Sequence, residues 1–252
     1  MVLELIIIST VIVSLASLAG IMLMNVSESR AKQILFLLVS FSAGTLLGTA
    51  FLDLLPEALE GADAHTAFIA ALAGIMIFFM LEKVIHWHHH HDPHRKHGIQ
   101  RPKPLGYLNL VGDGLHNFFD GTAIAASFMA GTPVGLATTL AVLLHEIPQE
   151  IGDYSLLIYS GFSKGRALLF NLISAIFAVI GGILFFYFSS LFEGIVPIAL
   201  GFTAGMFIYI ASTDLVPELH KETDPAKSLM QLSLICLGIS AIWIVATFLE
   251  GH

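Results

Sequence analysis

Imidazoles, carboxylates and amides recur at helical spacing in two stretches that are otherwise apolar. In the first, Asp113, His116, Asn117 and Asp120 fall on one face of a helix, because positions three, four and seven apart lie on one side. In the second, His145 and Gln149 are four apart, as are Glu146 and Glu150, and Asp153 extends the stripe. These groups are ligands for a hard-to-borderline divalent cation. An Asp at the centre of a bilayer costs roughly 2.5–3.5 kcal/mol on insertion scales. A chain keeps such groups only where something offsets that cost, and a cation held between the two stripes does so. Polar packing explains a lone buried His. Two His-plus-acid stripes on neighbouring segments at matching depth call for metal ligation, ahead of polar packing or a metal-free proton relay.

The elements that must carry these stripes are membrane helices. Of the 252 residues, 56% are hydrophobic and only 12% charged, whereas a soluble domain carries about 25% charged residues. The expected class is all-α, a polytopic membrane protein. Apolar stretches of about 20 residues span a bilayer. Eight are expected, at about 2–24, 34–59, 66–86, 107–130, 134–159, 166–190, 195–219 and 229–249. The first has Glu4 and no basic flank, so it reads as a spanning helix and not as a secretion signal. No water-soluble domain is expected on either side of the membrane part, which forms a single transporter domain over 1–252.

Gly131-Thr132-Pro133 joins segments four and five as a tight antiparallel hairpin. At about 1.5 Å per residue, His116 lies roughly 14 Å from the inner end of its helix and His145 roughly 17 Å from the outer end of its own. Both reach the middle of a core about 30 Å thick. Pro148 cannot donate to the carbonyl of Leu144, so a kink and a freed oxygen are expected at the depth of the ligands. Pro56 and Pro217 are expected to act likewise on Leu52 and Thr213.

All eleven basic residues fall in or beside the joints after segments one, three, five and seven. The other joints and both ends carry none, so both termini are expected outside. An internal repeat agrees. Ala43-Gly44 followed by Asp53-Leu54-Leu55-Pro56-Glu57 recurs as Ala204-Gly205 followed by Asp214-Leu215-Val216-Pro217-Glu218, every position offset by 161. The copies lie on segments that run in opposite directions, as in the inverted repeats of secondary transporters. The implied arrangement is 3+2+3 helices.

Between segments three and four, residues 86–106 read as a polar cytoplasmic loop. Seven of the twelve residues from His86 to His97 are His, including His88, His89, His90, His91 and His94. Such tracts bind metal weakly, and this one is expected to capture released metal or to sense its level. The single Cys236 excludes a disulfide framework and a thiolate cage. An intramembrane metallohydrolase is the alternative from another class, but His-Glu-x-x-His fails at its last position, which is Gln149. No nucleic-acid partner and no enzymatic activity are expected.

These motifs resemble those of the ZIP family of zinc and iron transporters. His116-Asn117-Phe118-Phe119-Asp120-Gly121 matches the family's segment-four pattern. His145-Glu146-Ile147-Pro148-Gln149-Glu150-Ile151-Gly152-Asp153 is similar to the longer pattern of the LIV-1 branch, with Gln149 in place of its second His. The resemblance implies a primary metal site from His116, Asp120, His145 and position 149. It implies a neighbouring second site from Asn117, Asp120, Glu146 and Asn171, with Asp53 and Asp214 lining the access routes. It also implies import toward the cytosol, a homodimer, and a moving helix bundle. With no targeting extension visible, the cell membrane is the expected location. Zn²⁺ is the expected transported ion, with Fe²⁺, Mn²⁺ and Cd²⁺ compatible with the same nitrogen and oxygen ligands. No cofactor is implied.

Overall fold

The computed structural model describes residues 1–18, 28–90, 103–192 and 194–249. They form eight helical rods, and no strand occurs among the described residues. α1 is Val2–Leu18. α2 is composite, with Glu28–Thr49, a π turn at Ala50–Leu54, and Leu55–Gly61. α3 is Ala64–His90, α4 Lys103–Ala130, α5 Thr132–Tyr159 and α6 Lys164–Ser189. α7 is Ile195–Leu219, with a π turn at Ala211–Leu215, and α8 is Pro225–Leu249.

Among the described residues, five stretches are long and apolar enough to cross a membrane: Gln33–Gly61, Ala64–Lys83, Lys164–Ser189, Ile195–Leu219 and Pro225–Thr247. α4 and α5 have the length, at 28 residues each, or roughly 42 Å at the helical rise. Their polar stripes lower their hydropathy. α3 continues as helix to His90, where the sequence reading placed a loop from His86. The physical reason is propagation: once a helix is nucleated, each added residue gains a backbone hydrogen bond. Of the His-rich tract, His91, His94 and His97 lie outside the described residues.

The helices sort into two groups. α1, α4, α5 and α6 pack on one another; so do α2, α3, α7 and α8. The groups meet chiefly where α2 packs on α5 and α7 on α4. Backbones in the second group approach closely at glycine. A Cβ on Gly44 of α2 would overlap the Ile235 carbonyl of α8, and one on Gly205 of α7 would overlap the Ala71 carbonyl of α3. Gly238 of α8 likewise abuts the Phe41 carbonyl, and Gly74 of α3 the Phe202 carbonyl. Small residues at such crossings let apolar helices pack tightly.

These four contacts form a twofold pattern. Shifting α2 by 161 gives Gly205 from Gly44 and Phe202 from Phe41. Shifting α3 by 164 gives Ile235 from Ala71 and Gly238 from Gly74. Each α2–α8 contact then becomes an α3–α7 contact. The difference of three residues is an insertion between α7 and α8. The contact registers make α2 parallel to α8 and α3 parallel to α7. The two-residue link Ala62-Asp63 turns α3 antiparallel to α2, so the two pairs point in opposite directions. The two π turns also stand 161 apart and carry Asp53 and Asp214. The prolines at 56 and 217, expected to make simple kinks, follow directly on these wide turns, where Leu55 and Val216 bond five residues back to Ala50 and Ala211. Pro is excluded from regular α geometry by the carbonyl four residues earlier, and π turns are a recurrent way to absorb a local distortion.

Candidate metal centre

His116, Asp120, His145 and Glu146 converge from α4 and α5, and all four are buried. The two imidazole Nε2 atoms are 3.3 Å apart. His116 Nε2 lies 3.6 Å from Asp120 Oδ2 and 3.4 Å from Glu146 Oε1. His145 Nε2 lies 3.2 Å from Asp120 Oδ2 and 3.6 Å from Glu146 Oε1. Four ligands at about 2.0–2.1 Å from one zinc stand about 3.3–3.4 Å apart at the corners of a tetrahedron. The five separations just given bracket that value, and all four ligand atoms lie within 4.8 Å of one another.

The tautomer of His145 fits the same arrangement. Its Nδ1 is 3.1 Å from the Ala141 carbonyl. A carbonyl only accepts, so Nδ1 carries the proton and Nε2 turns a lone pair toward the centre. The oxygens of Asp120 and Glu146 receive no hydrogen bond from the protein. Two imidazoles and two carboxylates gather four ligand atoms around one point inside the bundle. A dication balances both their charge and their missing donors.

Other site residues from the sequence take different places. Asp113 accepts from Asn117 Nδ2 at 2.9 Å and from the Ser174 hydroxyl. Asn171 donates to the Glu150 carboxylate and, at 3.2 Å, to the Glu150 carbonyl. Asn109 donates to Asp153 at 3.0 Å. These three carboxylates are held by amides and a hydroxyl beside the tetrahedron. The buried oxygens Asn117 Oδ1, Asn171 Oδ1 and Glu150 Oε1 have no donor. Asp53 is buried on the π turn of α2, and Asp214 is exposed on that of α7.

A cavity of about 340 Å³ runs from the His pair past Asp113, Asn109, Gln149 and Asp153 to Glu82, Tyr209 and Asp214. Each of these last residues lies nearer than the His pair to the helix ends that adjoin Lys83, Lys164, Arg166 and Lys221. The cavity thus leads toward the basic end of the bundle. Aromatic rings pack around the His pair and beyond it toward the other helix ends. Phe78 packs edge-on against His116 at 5.8 Å and against Phe119 at 5.4 Å, Phe119 lies 5.8 Å from Phe202, and Phe207 lies 5.9 Å from His145.

One expectation is corrected. The carbonyl that Pro148 deprives of an amide does not serve the site. The Ser42 hydroxyl of α2 donates to the Leu144 carbonyl at 2.7 Å. The orphaned oxygen is satisfied across the helix interface, which removes the cost of leaving it bare. Sequence reasoning demanded a partner for this oxygen but had no means to name Ser42. It also gave Glu146 to the second site, whereas the geometry puts it at a corner of the first. Gln149 lines the cavity one turn from His145. An imidazole at this position would add a donor beside the four and should tighten zinc binding by about tenfold, the scale of ligand-shell effects. Titration of purified Gln149→His against a chelating dye measures this, and unchanged affinity shows that the added imidazole does not reach the ion.

The chain matches the family model described as ZIP zinc transporter over residues 2–104 and 88–246. It is 36% identical to zinc transporter ZIP13 of Pongo abelii, over 84% of this chain and 67% of that protein. It is 33% identical to zinc transporter zipt-7.1 of Caenorhabditis briggsae, over 83% of this chain and 70% of the relative. For zinc transporter ZIP13 of Homo sapiens the identity is 34%, over 88% and 72%. With a buried His₂-carboxylate₂ centre on paired helices, and with these matches over most of its length, the chain belongs to the ZIP zinc transporter family.

Proposed function

We propose that this protein carries a divalent metal ion, zinc in preference to others, across a membrane toward the cytosol through the centre on α4 and α5. The observation that carries this is the set of 3.2–3.6 Å separations among His116, Asp120, His145 and Glu146. They suit tetrahedral nitrogen and oxygen coordination, the preference of zinc. Ions that favour octahedral oxygen sites, such as Mn²⁺, fit less well. Buried Asn117 Oδ1, Asn171 Oδ1 and Glu150 Oε1 support a second cation beside the first.

The distribution of basic residues supports eight crossings with both termini outside. On that orientation the cavity opens to the cytosol, and the aromatic rings lie around the centre and toward the outer side. A homodimer in the cell membrane, and a His-rich loop that captures released ions, complete the reading on resemblance and composition. A hydrolytic role is disfavoured because a catalytic zinc keeps an open water position, and four protein ligands fill the tetrahedron.

Radiozinc uptake into proteoliposomes, with Fe²⁺, Mn²⁺, Co²⁺ and Cd²⁺ as competitors, tests the proposal. Uptake should be saturable, best competed by Cd²⁺, and lost in His145→Ala. Uptake by that variant at the wild-type rate sinks it. Lowering the outside pH from 7.5 to 5.5 should reduce uptake several-fold. Ligation needs neutral imidazole and ionised carboxylate, so protons compete with the metal as pH falls. Uptake that rises on acidification rejects this competition as the controlling step.

A further inference from the structure

The Ser42–Leu144 hydrogen bond crosses between the two helix groups. Ser42 is buried on α2, and Leu144 immediately precedes the ligand pair His145-Glu146 on α5. The acceptor exists because Pro148 has no N–H, so the bond is not replaced within α5 when Ser42 moves away. Any motion of the ligand-bearing group past the other group must break it and leave a buried carbonyl bare.

The twofold relation between the repeats makes this bond one-sided. Ser42 plus 161 is Thr203, on α7, and α7 packs against α4 as α2 packs against α5. Yet α4 has no proline beyond Pro104 in its first turn. The related interface therefore lacks a proline-orphaned carbonyl. In an inverted-repeat transporter the opposite-facing state exchanges the conformations of the repeats. The bond seen here has no counterpart in that exchanged state.

We infer that Ser42 is a positioning residue for transport: its bond to the Leu144 carbonyl latches the ligand-bearing helix α5 in the state whose cavity leads to the basic end. The inference rests on the transporter reading. It assigns the balance between the two states to one hydroxyl and one missing amide. Leaving the carbonyl unpaired should shift that balance by on the order of tenfold, the scale of a stranded buried acceptor.

The repeat supplies a reporter. Asp214 is exposed and lines the cavity, and its mate Asp53 is buried. Position 53 becomes accessible when the other side opens. In a Cys236→Ser background, the reporter Asp53→Cys is labelled with a hydrophilic maleimide in nanodiscs. Ser42→Ala should raise the labelling rate about tenfold, and Ser42→Thr, which keeps the hydroxyl, should restore it. In Pro148→Ala, where residue 148 can again donate to Leu144, Ser42→Ala should change the rate less than twofold. No rise with Ser42→Ala overturns the latch, and so does an equal rise in both backgrounds. Should Pro148→Ala fail to fold, the contrast between Ala and Thr at position 42 decides by itself. Zinc uptake by the unaltered protein is measured alongside. Its absence sinks the transporter reading, whereas uptake with Ser42-independent labelling sinks only the latch.

Discussion

Asp120→Ala should abolish zinc uptake, by well over the 10–100-fold that removal of a supporting partner of a metal ligand costs, while the protein still folds and inserts. Asp120 is fully buried, and its Oδ2 lies 3.2 Å from His145 Nε2 and 3.6 Å from His116 Nε2. With two carboxylates and two neutral imidazoles the centre balances a dication. With one carboxylate removed, a bound dication leaves a net positive charge in a low-dielectric interior, where an uncompensated charge costs several kcal/mol. The folded protein without metal has the opposite preference. There Asp120 is a buried acceptor without donors, and its deletion relieves a desolvation penalty. The expected signature is therefore split: uptake at background, thermal stability in detergent equal to or above wild type. Wild-type uptake would show that Asp120 is not a ligand, and collapse of the fold would show that its role is structural.

Gly44→Val and Gly205→Val should each prevent recovery of a monodisperse protein. At both positions the new Cβ would overlap a carbonyl of the neighbouring helix, Ile235 for Gly44 and Ala71 for Gly205. Overpacking a core with movable side chains costs about 1–3 kcal/mol, but here the obstacle is backbone, so a whole helix must shift. The repeat makes the prediction sharper, because the two contacts are related by the 161-residue offset and should fail to a similar degree. Gly152 is the internal control, since a Cβ there meets nothing within 4 Å. Gly152→Ala should be recovered at wild-type yield. Normal recovery of Gly44→Val with the α2–α8 contact intact would contradict the packing.

Local chemistry in the chain sufficed to mark which helices carry a site. His116 and Asp120 are four apart, so a helix of either orientation puts them on one face. The matched segments around Asp53 and Asp214 announced the inverted repeat, because related copies keep their residues at a fixed offset wherever they sit in space. Periodicity, proline and basic residues are readable one segment at a time, and so the all-helical class followed from them.

What the sequence left open depended on how helices rotate and approach. His145 and Glu146 are neighbours in the chain, about 100° apart around a helix axis. Only the tilt of α5 against α4 brings both to the same centre and leaves Gln149 on the cavity wall. Pro148 fixed the need for a donor to Leu144, but Ser42 is 102 residues away in the chain, and no local rule selects it. The side on which the cavity opens is likewise tertiary. Asp53 and Asp214 are equivalent in the repeat, yet one is buried and the other exposed. The sequence alone determined which groups sit on which helical faces, since covalent spacing and helical geometry dictate that. The packed structure decided which of them meet, because distances across a helix interface are set by the shape of both partners at once.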